Sequence, residues 1–131
     1  MRELNAWTLN ELIERTCDSF PSRPALSMVD GEPITYAQLK EQLEEVRKLL
    51  SDYGIVRGDR VAILSQNMPN WGVAYLAITT LGAIVVPILV DFHVNEILHI
   101  LKHSGSKLVF VSAQQYDKIG YSELDPFSQF Y

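Results

Sequence analysis

Thirty consecutive residues, Val61 to Val90, contain no aspartate, glutamate, lysine, arginine or histidine. A helix that spans a membrane needs about 20 predominantly apolar residues, and the part from Trp71 to Val90 has that length. Gly72, Gly82 and Pro87 interrupt this part, however, and both residue types disfavour the interior of a helix. We therefore interpret this part as two buried elements of a globular fold rather than as one membrane span.

The part of the run that follows Gln66 is predicted to form a helix and then a strand. Asn67 is a residue type that caps helices, and Pro69 suits the first helical position, where its missing N–H costs no hydrogen bond. Gly82 suits the left-handed conformation that follows the last turn of a helix. The next residues, "AIVVPIL", are β-branched and predict a short strand buried on both faces. Because Pro87 cannot donate to a ladder, this strand should end or reach a sheet edge near it.

Capping signals and hydrophobic periodicity divide the rest of the chain into short elements. A threonine followed three positions later by glutamate or glutamine predicts helix starts at Thr8 and at Thr35. In order, the predicted elements are a helix from Thr8 to Pro21, a hairpin around Asp30-Gly31-Glu32, a helix from Thr35 to Gly54, the strand "RVAIL", the helix and strand described above, a helix "VNEILHILKHSG", the strand "KLVFVS" and a short helix "AQQYDKIG".

Helices and strands alternate from residue 36 onward in this scheme. Alternation of this kind implies parallel strands joined by right-handed crossovers. We therefore predict an α/β fold with an open, mostly parallel sheet and flanking helices, formed by residues 1–131 as a single partial domain. Residues 119–131 carry no pattern of a helix or strand and are predicted to form an irregular tail at a truncation.

Composition excludes several classes of function. The chain has 131 residues, with 11 lysines and arginines against 16 aspartates and glutamates, and its net charge is −5. Nucleic-acid binding requires a basic surface, so a nucleic-acid partner is not expected. The single cysteine, Cys17, cannot form an internal disulfide, and the N-terminus lacks the apolar core of a signal peptide. Both features predict a cytoplasmic protein, with Cys17 as a small core residue.

Polar residues after the strand "RVAIL" form the first candidate site. Ser65, Asn67 and Asn70 follow a strand end, which is where open α/β sheets bind their ligands. Capping and turn roles explain the same residues and are the favoured interpretation.

Two further motifs suggest ion binding but have simpler explanations. Glu96, His99 and His103 share one helix face; two histidines four apart can hold zinc, but a metal site needs a third or fourth ligand. We therefore interpret this face as solvent-exposed.

The stretch "HSGSKL" has the residue types of a phosphate-binding loop. It follows a helix and opens a strand, however, whereas phosphate-binding loops follow a strand and open a helix. Gly105 within it is predicted to end the helix.

Three phrases, in sequence order, carry a resemblance to a known family. They are "ITYAQL" (Ile34 to Leu39), "GIVRGDRVAIL" (Gly54 to Leu64) and "NMPNWGVAYLAITTLGAIVVPIL" (Asn67 to Leu89). Together they resemble the N-terminal region of the AMP-forming acyl-CoA synthetases, a superfamily that also contains adenylation domains of nonribosomal peptide synthesis and luciferases. The resemblance covers about residues 8–118 and implies a partial N-terminal domain of the acyl-CoA synthetase-like fold.

The resemblance implies a parent enzyme that uses ATP, Mg²⁺ and CoA to activate a carboxylic acid, with a fatty acid as the expected substrate. The family's phosphate loop, its adenylate motif and its C-terminal catalytic lysine have no counterpart in these 131 residues. We therefore name no catalytic, cofactor-binding or metal-ligating residue, and we expect this segment to be inactive and to bind no cofactor by itself.

The alternatives to an acyl-CoA ligase are a non-catalytic α/β binding or assembly module and an adenylation domain that loads a carrier protein. Uncovered apolar surface further predicts self-association.

Overall fold

The computed structural model describes residues 3–119. The elements are α1 (Leu9–Ser19), β1 (Pro24–Leu26), β2 (Ile34–Thr35), α2 (Tyr36–Asp52), β3 (Arg60–Leu64), α3 (Pro69–Leu81), β4 (Ile84–Ile88), α4 (Val94–Ser104), β5 (Leu108–Val111) and α5 (Ala113–Ile119). From residue 36 onward helices and strands alternate as predicted, and the α/β fold class is confirmed. Within residues 3–119, none of the helices is long and apolar enough to cross a membrane.

The main sheet has the strand order β4-β3-β5, and both neighbouring pairs are parallel. β3 is the central strand, and its residues Val61 to Leu64 are buried. Two apolar clusters lie on opposite faces of the sheet: α2 and α3 contribute to the cluster that contains Ile63, and α4 and α5 contribute to the cluster that contains Leu64. The alternation of side chains along β3 therefore supplies both halves of the core.

The uncharged run from Val61 to Val90 is explained by this arrangement. It forms the central strand β3, the helix α3 and the strand β4. α3 packs against α1, α2 and the sheet, so a charged side chain on most of its surface would be removed from water. The predicted division into a helix and a strand at Gly82 is confirmed: α3 ends there, and Gly82 has the left-handed φ of 91°.

The prediction that β4 is buried on both faces is wrong. β4 is an edge strand of the described sheet, and Ile84 at its start is 50% exposed. The N–H of Ile84 donates to the carbonyl of Asp59 at 2.7 Å, so alternation along the strand directs the N atom of Pro87 away from β3. Pro87 thus costs the ladder no hydrogen bond, and the prediction that the strand reaches an edge near it is confirmed.

The two predicted capping boxes differ in how far they are completed. At α2, Gln38 N–H donates to Thr35 Oγ1, and Thr35 N–H donates to Gln38 Oε1 at 2.8 Å. At α1, Thr8 accepts from Glu11 N–H as predicted, but the Glu11 carboxylate accepts from the backbone N–H of Asn5 instead of that of Thr8. The segment before α1 folds back onto the helix, and Asn5 occupies the carboxylate oxygen that would complete the capping box.

The start of α3 and the hairpin each depart slightly from the prediction. The N-cap of α3 is Met68, which makes no side-chain capping bond, and Pro69 occupies the first turn as predicted. The strands β1 and β2 pair antiparallel around the predicted turn, in which Asp30 has a φ of 59°. These strands are shorter than the apolar runs that flank the turn. The predicted tail over residues 119–131 begins at the last residue of α5 and otherwise lies outside the described residues.

Hydrogen bonds of the Asp59 carboxylate link the segments that precede β3 and β5. Its Oδ1 accepts a hydrogen bond from Lys107 Nζ at 2.8 Å, and its Oδ2 accepts one from Val56 N–H at 2.9 Å. The hydrogen bond from Lys107, followed by that from Val56, lowers the pKa of the Asp59 carboxyl below its ordinary value.

The lowered pKa predicts how stability depends on pH. Ionised Asp59 stabilises the folded chain above the ordinary carboxyl pKa of about 3.9, and this contribution is lost as the pH falls through the lower folded-state value. We expect Asp59→Asn to lower the urea midpoint at neutral pH, and the difference from wild type to shrink below about pH 4. The matched control is Asp52→Asn, which removes an exposed i,i+4 pair with Lys48 and should change stability little. An Asp59→Asn difference that persists unchanged in acid would contradict this assignment.

Candidate functional site

A cavity of about 190 Å³ lies at the carboxyl end of the sheet, between the ends of β3 and β5 and the first turns of α3. This is the position at which open α/β sheets bind ligands. Its lining residues are Ile63, Ser65, Met68, Asn70, Trp71, Ala74, Phe110, Val111 and Ser112. The structure therefore brings two of the three candidate residues, Ser65 and Asn70, to one cavity. Asn67 is not among the lining residues; it lies beside Met28 in a separate groove under the β1–β2 hairpin.

Hydrogen bonds within the protein occupy the hydroxyl groups at this cavity. Ser112 Oγ donates to Gln66 Oε1 at 2.8 Å, and Ser65 Oγ donates to the carbonyl of Gln66 at 2.9 Å. Gln66 thereby links the loop after β3 to the loop after β5. Sequence reasoning missed Gln66 and Ser112. The strand-end rule that selected Ser65 would also have selected Ser112, because it ends the predicted strand "KLVFVS".

The walls of the cavity limit its chemistry. None of the residues that line it is an aspartate, glutamate, lysine, arginine, histidine or cysteine. Trp71 stacks on Tyr75 with ring centroids 5.3 Å apart, which holds the indole in one orientation on one wall. The site can take up an apolar group and offers an amide and hydroxyl oxygens. It has no group that could transfer a proton near neutral pH.

The histidine face of α4 holds no assembled metal site. His99 and His103 are both exposed, and their rings stack with centroids 5.7 Å apart. One oxygen of Glu96 accepts from the backbone N–H of His93 at 2.8 Å, at the first turn of the same helix. Across residues 3–119, no group of three histidine, cysteine, aspartate or glutamate side chains is arranged to bind a metal ion.

The "HSGSKL" stretch serves the fold, as predicted. Gly105 ends α4 in the left-handed conformation with a φ of 64°. The hydroxyls of Ser104 and Ser106 hydrogen bond to each other at 2.7 Å, and Lys107 binds Asp59. The groups that would contact a phosphate are therefore engaged within the protein.

Cys17 is buried on α1, which confirms the prediction that it is a core residue. Burial, and then the neighbouring Glu14 carboxylate, raise the pKa of the Cys17 thiol above its ordinary value. A raised pKa reduces the thiolate fraction, and the burial of Cys17 restricts access to its sulfur.

The fold of this chain has counterparts among solved structures, and its sequence matches a protein family. The sequence profile of a family described as AMP-binding enzyme matches residues 13–129, which is most of the chain. This chain belongs to the AMP-binding enzyme family. The resemblance to AMP-forming acyl-CoA synthetases that the three sequence phrases carry is thereby confirmed.

Three similar proteins are between a quarter and a third identical to this chain over the aligned segments. Human mitochondrial medium-chain acyl-CoA ligase ACSF2 is 32% identical over 120 residues, covering 88% of this chain and 20% of the ligase. Surfactin synthase subunit 1 of Bacillus subtilis is 33% identical over 102 residues, covering 78% of this chain and 3% of the synthase. The N-terminal domain of FACL13 from Mycobacterium tuberculosis superposes with a TM-score of 0.83 at 25% identity, covering 94% of this chain and 32% of that domain.

The chain thus spans about a fifth of the length of the acyl-CoA ligases that it matches. No carboxylate or lysine lines the strand-end cavity, and the serine-glycine loop before β5 is bonded within the protein, through the Ser104–Ser106 and Lys107–Asp59 contacts. No residue of this chain is therefore assigned a catalytic role.

Proposed function

We propose that this chain is the N-terminal part of an acid–thiol ligase that activates a carboxylic acid with ATP as an acyl-adenylate and transfers the acyl group to CoA. The observation that carries the proposal is the family match over residues 13–129, together with the similarity to an acyl-CoA ligase over 88% of the chain. A fatty acid is the proposed substrate, because the human relative is a medium-chain acyl-CoA ligase.

The role of this part in the proposed enzyme is structural. Its strand-end cavity has no titratable group, and its polar side chains tie β3 to β5. In the proposed ligase, phosphate charge and the adenylate are handled by residues outside this chain. A cytoplasmic location is proposed because the single cysteine cannot form an internal disulfide. The human relative is mitochondrial. Cell fractionation that finds the protein in an organelle would overturn the proposed location.

A second candidate is an adenylation domain that loads a carrier protein. The similarity to surfactin synthase subunit 1 favours it specifically, because that protein shares a slightly higher identity over a shorter range. The two candidates share acid activation and differ in the thiol that accepts the acyl group. A third candidate, a non-catalytic α/β module, would carry out neither step.

One experiment separates the three candidates. The open reading frame is followed past Tyr131, and the protein that it encodes is assayed for pyrophosphate release with a panel of carboxylic acids, with and without CoA. Acid-dependent pyrophosphate release with formation of acyl-CoA supports the ligase. Release of pyrophosphate without CoA consumption supports carrier-protein loading. A stop codon directly after Tyr131 and no pyrophosphate release would overturn both and favour the non-catalytic module.

We expect the chain of residues 1–131 to bind no ATP, because the phosphate-holding residues of the family are absent from its sequence. Thermal unfolding with and without millimolar Mg-ATP should give the same midpoint. A ligand present at about 100 times its Kd would stabilise the chain by about 2.7 kcal/mol, which is a shift of several degrees. A saturable shift would contradict the expectation, and its loss in Asn70→Ala would locate the site at the strand-end cavity.

A further inference from the structure

A second cleft, of about 390 Å³, lies between α1 and the residues that precede this helix. Two hydrogen bonds of 3.3 Å, from the backbone N–H and the side-chain amide of Asn5 to Glu11 Oε1, hold the preceding segment against the helix. The volume falls within the range of small-molecule sites, which is about 300–1,000 Å³. We call this site the α1 cleft; its lining residues are Leu4, Trp7, Thr8, Leu9, Leu12 and Arg15. It shares none of them with the strand-end cavity.

The walls of the α1 cleft are apolar and open to solvent. Trp7 is 94% exposed, Leu9 is 46% exposed and Leu12 is 40% exposed. Single apolar side chains at a surface are ordinary, but several that line one cleft favour the binding of an apolar group. The α1 cleft can therefore take up a hydrocarbon chain or a ring.

Arg15 is the one charged side chain of the α1 cleft, and no carboxylate of the described residues pairs with it. The carboxylates of α1 are all bonded to other groups: Glu11 to Asn5, Glu14 to Lys40 and Arg47, and Asp18 to Lys40. Arg15 Nε is enclosed and has no hydrogen-bond partner within residues 3–119. Enclosed donors in folded proteins are nearly always paired, and the preferred acceptor of a guanidinium is a carboxylate or a phosphate. The α1 cleft therefore combines apolar walls with one unpaired cation.

We propose that the α1 cleft binds the anion of a fatty acid, with the carboxylate on Arg15 and the alkyl chain against Trp7 and Leu12. A planar guanidinium binds a carboxylate through two parallel N–H···O bonds, and one alkyl chain with one anionic head matches apolar walls with one cation. An acidic peptide fits less well, because its amide groups would lose hydrogen bonds to water against these walls. The inference does not rest on the proposed ligase activity, since the α1 cleft lies apart from the strand-end cavity and binding needs neither ATP nor CoA.

Tryptophan fluorescence of the chain of residues 1–131, titrated with decanoate below its micelle-forming concentration, tests this proposal. The chain has two tryptophans, so Trp71→Phe leaves Trp7 as the only one. Because Trp7 is exposed, its emission should shift to shorter wavelength as the alkyl chain covers the indole, and the shift should saturate at one decanoate per chain. Octanoate has two methylenes fewer and should bind several-fold more weakly, up to about fifteenfold. Isothermal titration calorimetry of the wild-type chain gives the same constants without a substitution.

Two variants separate the charge from the apolar walls. Arg15→Gln should weaken decanoate binding by at least about tenfold, because it removes hydrogen bonds between two charged groups. Decanol has the same chain and no charge, so it should bind wild type and Arg15→Gln equally. Leu12→Ser should weaken the binding of both ligands. The matched control is Arg57→Gln, which removes an exposed arginine outside the α1 cleft and should bind decanoate like wild type.

Several results would overturn the proposal. These are the absence of saturable decanoate binding, an equal Kd for wild type and Arg15→Gln, or an equal loss of binding in Arg57→Gln. A shift of Trp7 emission with phosphatidylcholine vesicles and none with decanoate would overturn it in favour of a membrane surface. A shift that follows the protein concentration and not the decanoate concentration would overturn it in favour of self-association through this face. Circular dichroism confirms that each variant is folded, and wild-type calorimetry with decanoate and decanol decides the matter if one is not. Pyrophosphate release tests the ligase proposal separately, so the two proposals can fail independently.

Discussion

Replacing Ala77 by aspartate is expected to abolish cooperative folding of this chain. Ala77 lies in the middle of α3 and is 0% exposed, within the apolar cluster that α2, α3 and β3 share. The effective cost of burying a charge without a partner is several kcal/mol, against a total stability of about 5–15 kcal/mol for a domain. Far-UV circular dichroism through a urea titration should show no cooperative transition, or one at a much lower midpoint.

A matched control for Ala77→Asp lies three residues along the same helix. Thr80 Oγ1 accepts a hydrogen bond from Arg47 Nη1 at 3.2 Å, so Thr80→Asp would place its carboxylate beside a cation at a half-buried position. We expect Thr80→Asp to change stability by no more than about 1 kcal/mol. Unfolding of Ala77→Asp at the wild-type urea midpoint would contradict this prediction. It would mean that the buried side of α3 tolerates a charge, and that burial does not explain the uncharged run.

The second large effect is expected for Leu43→Ala. Leu43 is 1% exposed on the inner face of α2, in the same cluster. Truncating a buried leucine removes its transfer free energy and leaves a cavity, at a cost of about 2–5 kcal/mol. The change should appear as a lower urea midpoint with an unchanged dependence of unfolding free energy on urea concentration.

Leu89→Ala provides the same chemical change at the surface. Leu89 is 64% exposed after β4, so its truncation should change the free energy of unfolding by about 0.5 kcal/mol or less. Equal losses for the two variants would mean that burial of Leu43 is not the cause of its larger expected loss.

The candidate site was predictable in position but not in composition. Ser65 and Asn70 were selected because they follow a strand end in an alternating α/β pattern, and both line the cavity. Ser112, Val111 and Phe110 reach the same cavity from a strand more than 40 residues away, because β3 and β5 are neighbours in the sheet. No pattern in the local sequence predicts that β3 and β5 are neighbours, because strand order depends on how the crossover helices pack.

The sequence by itself determined where elements begin and end. The Thr35–Gln38 box, Gly82 and Gly105 act within a turn or two of the backbone, so their residue types suffice to predict a helix start and two helix ends. Only the tertiary structure decided that β4 is an edge strand, that the Glu11 carboxylate accepts from Asn5, and that β3 and β5 are neighbours in the sheet. These properties depend on which segments meet in space, and that is set by the packing of the whole core rather than by neighbours in the chain.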